Sequence, residues 1–316
     1  QTMRHFLKES DLSRDEVAAV FATAAALKAG RGRHTPPALA RQSWGLLFFK
    51  KSTRTRVSFQ VGVHELGGQP VMLNADDMQL SRGETAADTA RVLSRYLHGM
   101  VIRCHDHALL EEFARVGTMP VVNALSDFLH PCQLLTDMFT LAERWAAGRP
   151  ESYADGLRGR KVAFLGDTAC NMGNSYVLAG ALLGVEVALA GPKGYAPGPE
   201  IQELLRREKL TPTWTFTEDP EAAVRGADMV TTDVWVSMGM EAEKERRLRE
   251  MDPYRVTSRL MSLAKPGALF MHCLPAHPGE EVAQEVLDSP ASIIFDQAEN
   301  RLHVQKAILA HLAAAR

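Results

Sequence analysis

Cysteine is scarce in this chain of 316 residues. The four cysteines lie at positions 104, 132, 170 and 273, and no two of them have C-x-x-C spacing. Secreted disulfide scaffolds carry many cysteines in a short chain, and structural zinc sites use cysteine pairs at close spacing. We therefore expect free thiols, no bound metal and a reducing cytoplasm as the compartment.

Long apolar runs and an excess of one charge are also missing. No apolar stretch approaches the roughly 18 residues that a membrane-spanning helix needs, and residues 1–14 lack the apolar segment of a signal peptide. Lys and Arg number 36 against 38 Asp and Glu, for a formal charge of −2. This balance predicts neither a membrane nor a nucleic-acid partner, although a local basic cluster stays possible.

What is present is the composition of a globular protein, with 46% apolar and 23% charged residues. The length favours two domains. Short apolar runs, which predict strands, alternate with segments that carry apolar residues at helical spacing. The predicted strands lie at residues 46–49, 70–73, 100–102, 120–122, 162–165, 185–189, 229–232, 268–271 and 293–295. Such alternation predicts an α/β fold: two doubly wound parallel-sheet domains joined by interdomain helices.

The predicted helices begin with one that runs to residue 28, where Ser13 and Glu16 have capping-box spacing. The others lie at residues 56–66, 86–96, 109–116, 132–146, 175–183, 199–207, 221–224 and 280–287. The helix at 132–146 is predicted to join the two α/β domains.

The densest chemical signal is the run KKSTRTR at residues 50–56, directly after a predicted strand and at the start of a helix. Its four cations and three hydroxyls join the free backbone N–H groups of the helix start, a combination suited to a phosphate dianion. A solvated basic turn is the alternative. The strand before the run favours an anion site, and the missing G-x-x-x-x-G-K excludes a Walker loop.

Arg103 and His130 also follow predicted strands, and Gln133 lies three residues beyond His130. Ligands of doubly wound sheets bind outside the carboxyl ends of strands. Taken alone, His130 and Gln133 are more often a helix-capping pair. The convergence of these residues with the basic run is what predicts a binding site.

Polar residues follow strands in the second half as well. The run at 166–173 resembles a dinucleotide turn but lacks G-x-G-x-x-G, so nucleotide binding is not expected. Asp233 and Ser237 follow another strand, and His272 with Cys273 follows a third. A lone cysteine is most often a small buried hydrophobe. A Cys–His nucleophile is the alternative, weakened because neighbours on an extended segment point to opposite faces.

Four motifs occur in an order that resembles the ornithine carbamoyltransferases, within the aspartate/ornithine carbamoyltransferase superfamily: STRTR at 52–56, HPCQ at 130–133, D-x-x-x-SMG at 233–239 and HCLP at 272–275. The first two mark carbamoyltransferases generally, and the last two are specific to those acting on ornithine. The resemblance extends to FDQAENR at 295–301. It implies a transferase that moves the carbamoyl group of carbamoyl phosphate to the δ-amine of L-ornithine, giving L-citrulline and phosphate in arginine metabolism.

The resemblance also implies a homotrimer or a multiple of trimers, small-molecule substrates only, and no metal or organic cofactor. Residues 1–138 with 302–316 would bind carbamoyl phosphate, and residues 139–301 would bind ornithine. The implied catalytic residues are Arg54, Arg103, His130 and Cys273. The implied carbamoyl phosphate contacts are Ser52, Thr53, Arg54, Thr55, Gln79, Arg103, His130, Gln133, Cys273, Leu274 and Arg301. Gln79 would act from a neighbouring subunit. The implied ornithine contacts are Asn171, Asp233, Ser237 and Met238.

The chain departs from the family pattern at Phe49, Lys51, Cys170 and Pro278. An asparagine often stands where Cys170 is, and an arginine is usual at Pro278. Two other classes of protein stay open: a nicotinamide-dependent dehydrogenase, which the missing glycine fingerprint disfavours, and a non-catalytic partner of a true transferase. Within the enzyme class, a related amine such as N-acylornithine or putrescine is the alternative substrate.

Overall fold

The computed structural model describes residues 4–146, 148–236 and 241–315. The chain divides into two compact units, one made of Gln1–Ala154 with Glu299–Arg316 and one made of Asp155–Ala298. Each unit has its own parallel sheet with helices around it, so the predicted fold class is confirmed. Among the described residues, no helix is both long and apolar enough to cross a membrane.

The first unit contains a four-stranded sheet in the order β2-β1-β3-β4. Its strands are β1 (Ser43–Phe48), β2 (Gln69–Asn74), β3 (Gly99–Arg103) and β4 (Val121–Leu125). Its helices are α1 (Arg14–Ala29), α2 (Thr53–Glu65), α3 (Ala86–Leu93), α4 (His107–Val116) and α5 (Pro131–Trp145). Helix α1 starts where the sequence predicts: the Glu16 amide donates to Ser13 Oγ, and Glu16 accepts from the Ser13 amide.

Close packing between β1 and β3 depends on glycine. The Trp44 ring lies against Gly99, where an added Cβ would come within 2.5 Å of the ring carbons. Five of the six residues of β1 are buried, as expected for a central strand covered on both faces. This packing holds the ends of β1 and β3 side by side.

The strand order of the first unit reverses between β1 and β3. From β1 the chain crosses through α2 to β2 on one side, and from β3 it crosses through α4 to β4 on the other. Such a switch point opens a crevice at the carboxyl ends of the two strands, where ligands bind. Phe48 pairs with Arg103 in register there, so the segments after β1 and β3 are neighbours.

The second unit contains a five-stranded sheet in the order β7-β6-β5-β8-β9. Its strands are β5 (Lys161–Leu165), β6 (Glu186–Ala190), β7 (Trp214–Thr217), β8 (Met229–Thr232) and β9 (Leu269–His272). Its helices are α7 (Asn171–Leu183), α8 (Pro199–Arg207), α9 (Pro220–Val224), α10 (Lys244–Met251), α11 (Ser258–Met261) and α12 (Gln284–Leu287). The switch point lies between β5 and β8, which places the segments after these strands together.

Two helices pass from one unit to the other: α6 (Tyr153–Gly156) and α13 (Ile294–Ala314). The predicted strand at 293–295 is wrong, because Ile294 and Phe295 begin α13 and only Ser292 forms an isolated bridge, to Phe270. A short apolar run fits a strand and a buried helix turn equally well. Strand β7 is not predicted by the sequence, and the predicted helix at 280–287 is only the short α12.

Candidate active site

The start of α2 presents the predicted anion-binding run. Ser52 precedes the helix, and its Oγ accepts a hydrogen bond from the Thr55 amide at 3.3 Å. Thr53 is exposed, whereas Ser52 and Arg54 are half-buried. The backbone N–H groups of a helix's first turn have no partner within the helix, and the helix dipole is positive there. This end of α2 is therefore suited to a phosphate group.

Thr55 is the meeting point of two arginines in the first unit. Arg103 Nη1 donates to Thr55 Oγ1 at 3.4 Å, and Arg301 Nη2 donates to the same oxygen at 3.1 Å. Thr55 is 1% exposed and Arg301 is 3% exposed. The structure thus brings together residues from β3, α2 and α13. Two guanidinium groups beside a helix start make this part of the first unit strongly positive.

A buried hydrogen-bond chain fixes the orientation of Arg301. Its Nη1 donates to Gln133 Oε1 at 2.5 Å, and its Nε donates to Gln305 Oε1 at 2.8 Å. Gln133 Nε2 in turn donates to Asp137 Oδ1 at 2.8 Å. Gln133 therefore does not act as a helix cap. Its amide is oriented by Arg301 on one side and Asp137 on the other.

His130 directly precedes α5 and is 5% exposed. Burial lowers the pKa of its imidazole well below the ordinary value, and the nearby positive charges of Arg301 and Arg103 lower it further. The ring is therefore neutral at physiological pH. It can donate one hydrogen bond to a ligand oxygen without adding a charge. Burial and Arg103 likewise lower the pKa of Lys50.

Gln79 is exposed, on a 3-10 helix (Gln79–Arg82) that follows β2. The two family departures near the anion site are Phe49, which is half-buried, and Lys51, which is exposed. The Phe49 amide donates to the Arg103 carbonyl at 2.9 Å. The aromatic residue at 49 thus continues the β1–β3 pairing beyond the end of β1.

In the second unit, Asp233 and Cys273 meet beyond the ends of β8 and β9. Cys273 Sγ donates to Asp233 Oδ1 at 3.3 Å, and the Val234 amide donates to the same oxygen at 2.8 Å. Burial raises the pKa of the Asp233 carboxyl above its usual value, although the Cys273 and Val234 hydrogen bonds oppose the shift. A partly desolvated carboxylate of this kind is poised to pair with a cation.

His272 has a different partner from the neighbouring thiol. Its Nδ1 accepts from the Leu274 amide at 2.8 Å, so Nε2 carries the proton and donates to Glu281 Oε1 at 3.1 Å. Both His272 and Glu281 are buried. Gln297 Oε1 accepts from the His272 amide at 3.0 Å. These contacts do not match the Cys–His nucleophile alternative, because thiol and imidazole are directed to different carboxylates.

The remaining predicted ornithine contacts lie at two segments. Asn171 is the half-buried first residue of α7, preceded by Cys170. Burial and the charges of Asp167 and Asp233 raise the pKa of the Cys170 thiol well above its usual value, so it stays protonated. Leu274 is half-buried beside Cys273. The predicted contacts Ser237 and Met238 lie outside the described residues.

Sequence reasoning missed Glu281 and the orientation of His272. The sequence shows Glu281 only as a glutamate a few residues beyond the HCLP motif, and no periodic pattern pairs it with the imidazole of His272.

Among the described residues, His277, Glu280 and Glu281 place potential metal-ligand atoms within 4.8 Å of one another. Glu281 Oε1 already accepts hydrogen bonds from His272 and from the His277 amide.

Comparison with known proteins places these features in context. The family model for the aspartate/ornithine carbamoyltransferase carbamoyl-P binding domain matches residues 4–143, and the model for the Asp/Orn binding domain matches residues 158–312. The chain is 48% identical over 314 residues to ornithine carbamoyltransferase from Methanoculleus marisnigri, covering 98% of this chain and 97% of that protein. It is 47% identical over 312 residues to that from Staphylothermus marinus, covering 97% and 96%.

Solved structures give the same result. Ornithine carbamoyltransferase from Pyrococcus furiosus matches with a TM-score of 0.89 and 43% identity, over 99% of this chain and 98% of that one. The anabolic ornithine carbamoyltransferase from Campylobacter jejuni matches with a TM-score of 0.89 and 38% identity, over 99% and 100%. The likeness therefore extends through both units of the chain.

Proposed function

The chain belongs to the aspartate/ornithine carbamoyltransferase family, and from that premise we propose that it transfers the carbamoyl group of carbamoyl phosphate to the δ-amine of L-ornithine, giving L-citrulline and phosphate. The observation that carries this proposal is the convergence of Arg103 and Arg301 on Thr55 at the start of α2. An anhydride of carbamic and phosphoric acids needs such a cationic site, and the whole-length likeness to ornithine carbamoyltransferases supports the choice of acceptor.

We propose that the phosphate of carbamoyl phosphate binds at the start of α2. The backbone N–H groups and hydroxyls of Ser52, Thr53 and Thr55 would donate to its oxygens. The half-buried Arg54 would bridge the phosphate and the carbamoyl oxygen, since a guanidinium presents donors in a planar fork. Gln133 Oε1 retains a second lone pair for the carbamoyl NH₂ group.

The carbamoyl oxygen becomes negatively charged when the amine attacks. The nitrogen lone pair forms a bond to the carbamoyl carbon, the bond from that carbon to the phosphate oxygen breaks, and the proton lost by the nitrogen goes to the departing phosphate. Arg103 and the neutral His130 would stabilise the oxyanion by donating hydrogen bonds to it. Their orientation before the substrate arrives lowers the barrier, because the donors need no reorganisation during the reaction.

We propose that the second unit selects the amino acid and its neutral amine. Asp233 would pair with the α-ammonium of ornithine, and Asn171, Ser237 and Met238 would hold the rest of its amino-acid end. An alkylamine with a pKa of about 10.4 is mostly protonated at neutral pH. Desolvation beside Cys273 and Leu274 would favour the unprotonated δ-amine, the form that attacks.

We also propose that the chain works as a homotrimer or a multiple of trimers. The exposed position of Gln79 supports this assembly, because an exposed side chain in one copy can reach the phosphate site of another. The compartment we propose is the cytoplasm and the pathway is arginine metabolism. The four free thiols suit a reducing compartment.

The test compares acceptor amines at saturating carbamoyl phosphate. Purified protein should form citrulline from L-ornithine, and at least about a hundredfold less carbamoylated product from N-acetylornithine or putrescine, which lack one of the groups that Asp233 and its neighbours would bind. A preference for putrescine or N-acetylornithine would replace the proposed acceptor. No carbamoylation of any amine would favour the non-catalytic alternative.

A further inference from the structure

Helix α10 carries a buried arginine that the proposed chemistry does not use. Arg247 is 6% exposed, whereas the adjacent Arg246 lies at the surface and pairs with Glu243. Burying a guanidinium requires several well-placed partners, because its hydration is lost. The contacts of the Arg247 guanidinium therefore indicate what its burial is for.

Three segments of the second unit meet at this guanidinium. Arg247 Nε donates to the Trp235 carbonyl at 2.6 Å, and Arg247 Nη2 forms an ion pair with Asp167. The guanidinium carbon also lies 5.2 Å from the centre of the Tyr195 ring, within the range of a cation–π contact. Tyr195 is held in turn, because its carbonyl accepts from Thr168 Oγ1 at 2.5 Å.

Two of these segments are the ones that carry the proposed ornithine contacts. Asp167 lies four residues before Asn171, and its Oδ1 accepts from the Ala169 amide at 3.2 Å. Trp235 lies between Asp233 and Ser237 and is 1% exposed. The two segments also pack directly, since a Cβ added to Gly166 would lie 2.9 Å from Trp235 Nε1.

We propose that the Asp167–Arg247 pair is a positioning device for the amino-acid substrate: it fixes the segment after β5 and the segment after β8 relative to each other, so that Asn171 and Asp233 face one ligand. This inference rests on the proposed function, because it concerns the ornithine site. Arg247 is a positioning residue, not a catalytic one, since it acts through the backbone of Trp235 and the carboxylate of Asp167.

The test measures KM for each substrate in Arg247→Lys and Asp167→Asn, with the melting temperature alongside. Lysine keeps the positive charge but lacks the planar fork needed to reach Asp167 and the Trp235 carbonyl together. We expect KM for ornithine to rise about ten- to hundredfold, the effect of losing one charge-assisted hydrogen bond. KM for carbamoyl phosphate should stay within about twofold of wild type. Arg249→Ala, which removes an exposed arginine of the same helix, is the matched control and should change neither KM.

The double variant sharpens the result. If both residues act through one pair, Arg247→Lys combined with Asp167→Asn should raise KM for ornithine little beyond the larger single effect. Equal rises in KM for both substrates, or a lower melting temperature with an unchanged KM for ornithine, would mean that the pair only stabilises the fold. If Arg247→Lys does not fold, Asp167→Asn alone tests the proposal.

The outcome for wild-type protein separates this inference from the proposed function. An active wild type with unchanged ornithine KM in both variants overturns the positioning role alone. A wild type that forms no citrulline overturns the proposed function, and the ornithine assignment of the pair with it.

Discussion

The two units hold their candidate site residues in different ways. In the first unit, neutral polar side chains from distant parts of the chain hold a cationic one: Arg301 donates hydrogen bonds to Thr55, Gln133 and Gln305. In the second unit, the central group is a carboxylate, Asp233, with a thiol donating to it. The site in the first unit is thus lined by positive charges, whereas the site in the second unit is centred on a carboxyl group whose pKa is raised.

The difference matches what each proposed substrate requires. Carbamoyl phosphate is an anion throughout the neutral pH range, so fixed hydrogen-bond donors can be oriented for it in advance. Ornithine must keep one ammonium group charged and lose the proton of the other. That needs an anionic partner at one end and a poorly hydrated region at the other. The comparison predicts that substitutions in each unit affect one substrate selectively.

The largest loss of activity should follow a substitution in the first unit. Arg54→Ala should lower kcat/KM for carbamoyl phosphate at least about a hundredfold, the scale expected for one lost oxyanion donor. Steady-state kinetics at saturating ornithine measures it. Arg91→Ala, which removes an exposed arginine of α3 paired with Asp88, is the control and should stay near wild type. Near-normal turnover in Arg54→Ala would remove this residue from the mechanism.

A substitution in the second unit should have the opposite selectivity. Asp233→Asn should raise KM for ornithine about ten- to hundredfold, because a charge-assisted bond to the α-ammonium contributes about 1.5–3 kcal/mol. KM for carbamoyl phosphate should change far less. Asp228→Asn is the matched control at the start of β8, where Asp228 holds Arg160 and Lys265. It should lower the free energy of unfolding and leave KM for ornithine unchanged. Equal effects of Asp233→Asn on both substrates would make Asp233 a structural residue.

The pH dependence of the reaction should also be set by the second unit, where ornithine is proposed to bind. Below the pKa of either amine of ornithine, kcat/KM for ornithine should rise about tenfold per pH unit from pH 6 to about 8, since the neutral δ-amine attacks. The rise should flatten above that range, because the α-ammonium that pairs with Asp233 then begins to lose its own proton. Towards low pH the raised pKa of Asp233 means that its charge is lost sooner than for an ordinary aspartate. His130 adds no step near its ordinary pKa, because burial already keeps it neutral.

The variant His130→Gln separates these contributions. Glutamine keeps a neutral hydrogen-bond donor, so the rate should fall while the shape of the pH profile stays the same. A flat profile for wild-type protein at low ornithine would contradict the neutral-amine mechanism. A profile that changes shape in His130→Gln would mean that His130 titrates in the working range.

The sequence predicted the parts of this comparison that depend on local pattern. Arg103 and His130 follow predicted strands, and the rule for doubly wound sheets placed them beside the basic run. Arg301 is 246 residues from Thr55, and only the family resemblance suggested its role. Nothing in the local sequence indicated that α13 returns to the first unit or that Arg247 is buried. Contacts between distant segments leave no periodic signal, whereas strands and helix starts do.

The smallest expected effect concerns a departure from the family pattern. Cys170 precedes α7, at the position where asparagine is a preferred helix cap because its oxygen accepts from the first-turn amides. Sulfur is a weak acceptor, and burial keeps this thiol protonated. Cys170→Asn should therefore raise the free energy of unfolding by about 1 kcal/mol. Because α7 begins at Asn171, a firmer helix start should also lower KM for ornithine slightly, without changing KM for carbamoyl phosphate. Denaturant unfolding and steady-state kinetics measure both. Cys170→Ala removes the thiol without adding an acceptor, so a stability gain shared equally by both variants would show that capping is not the cause.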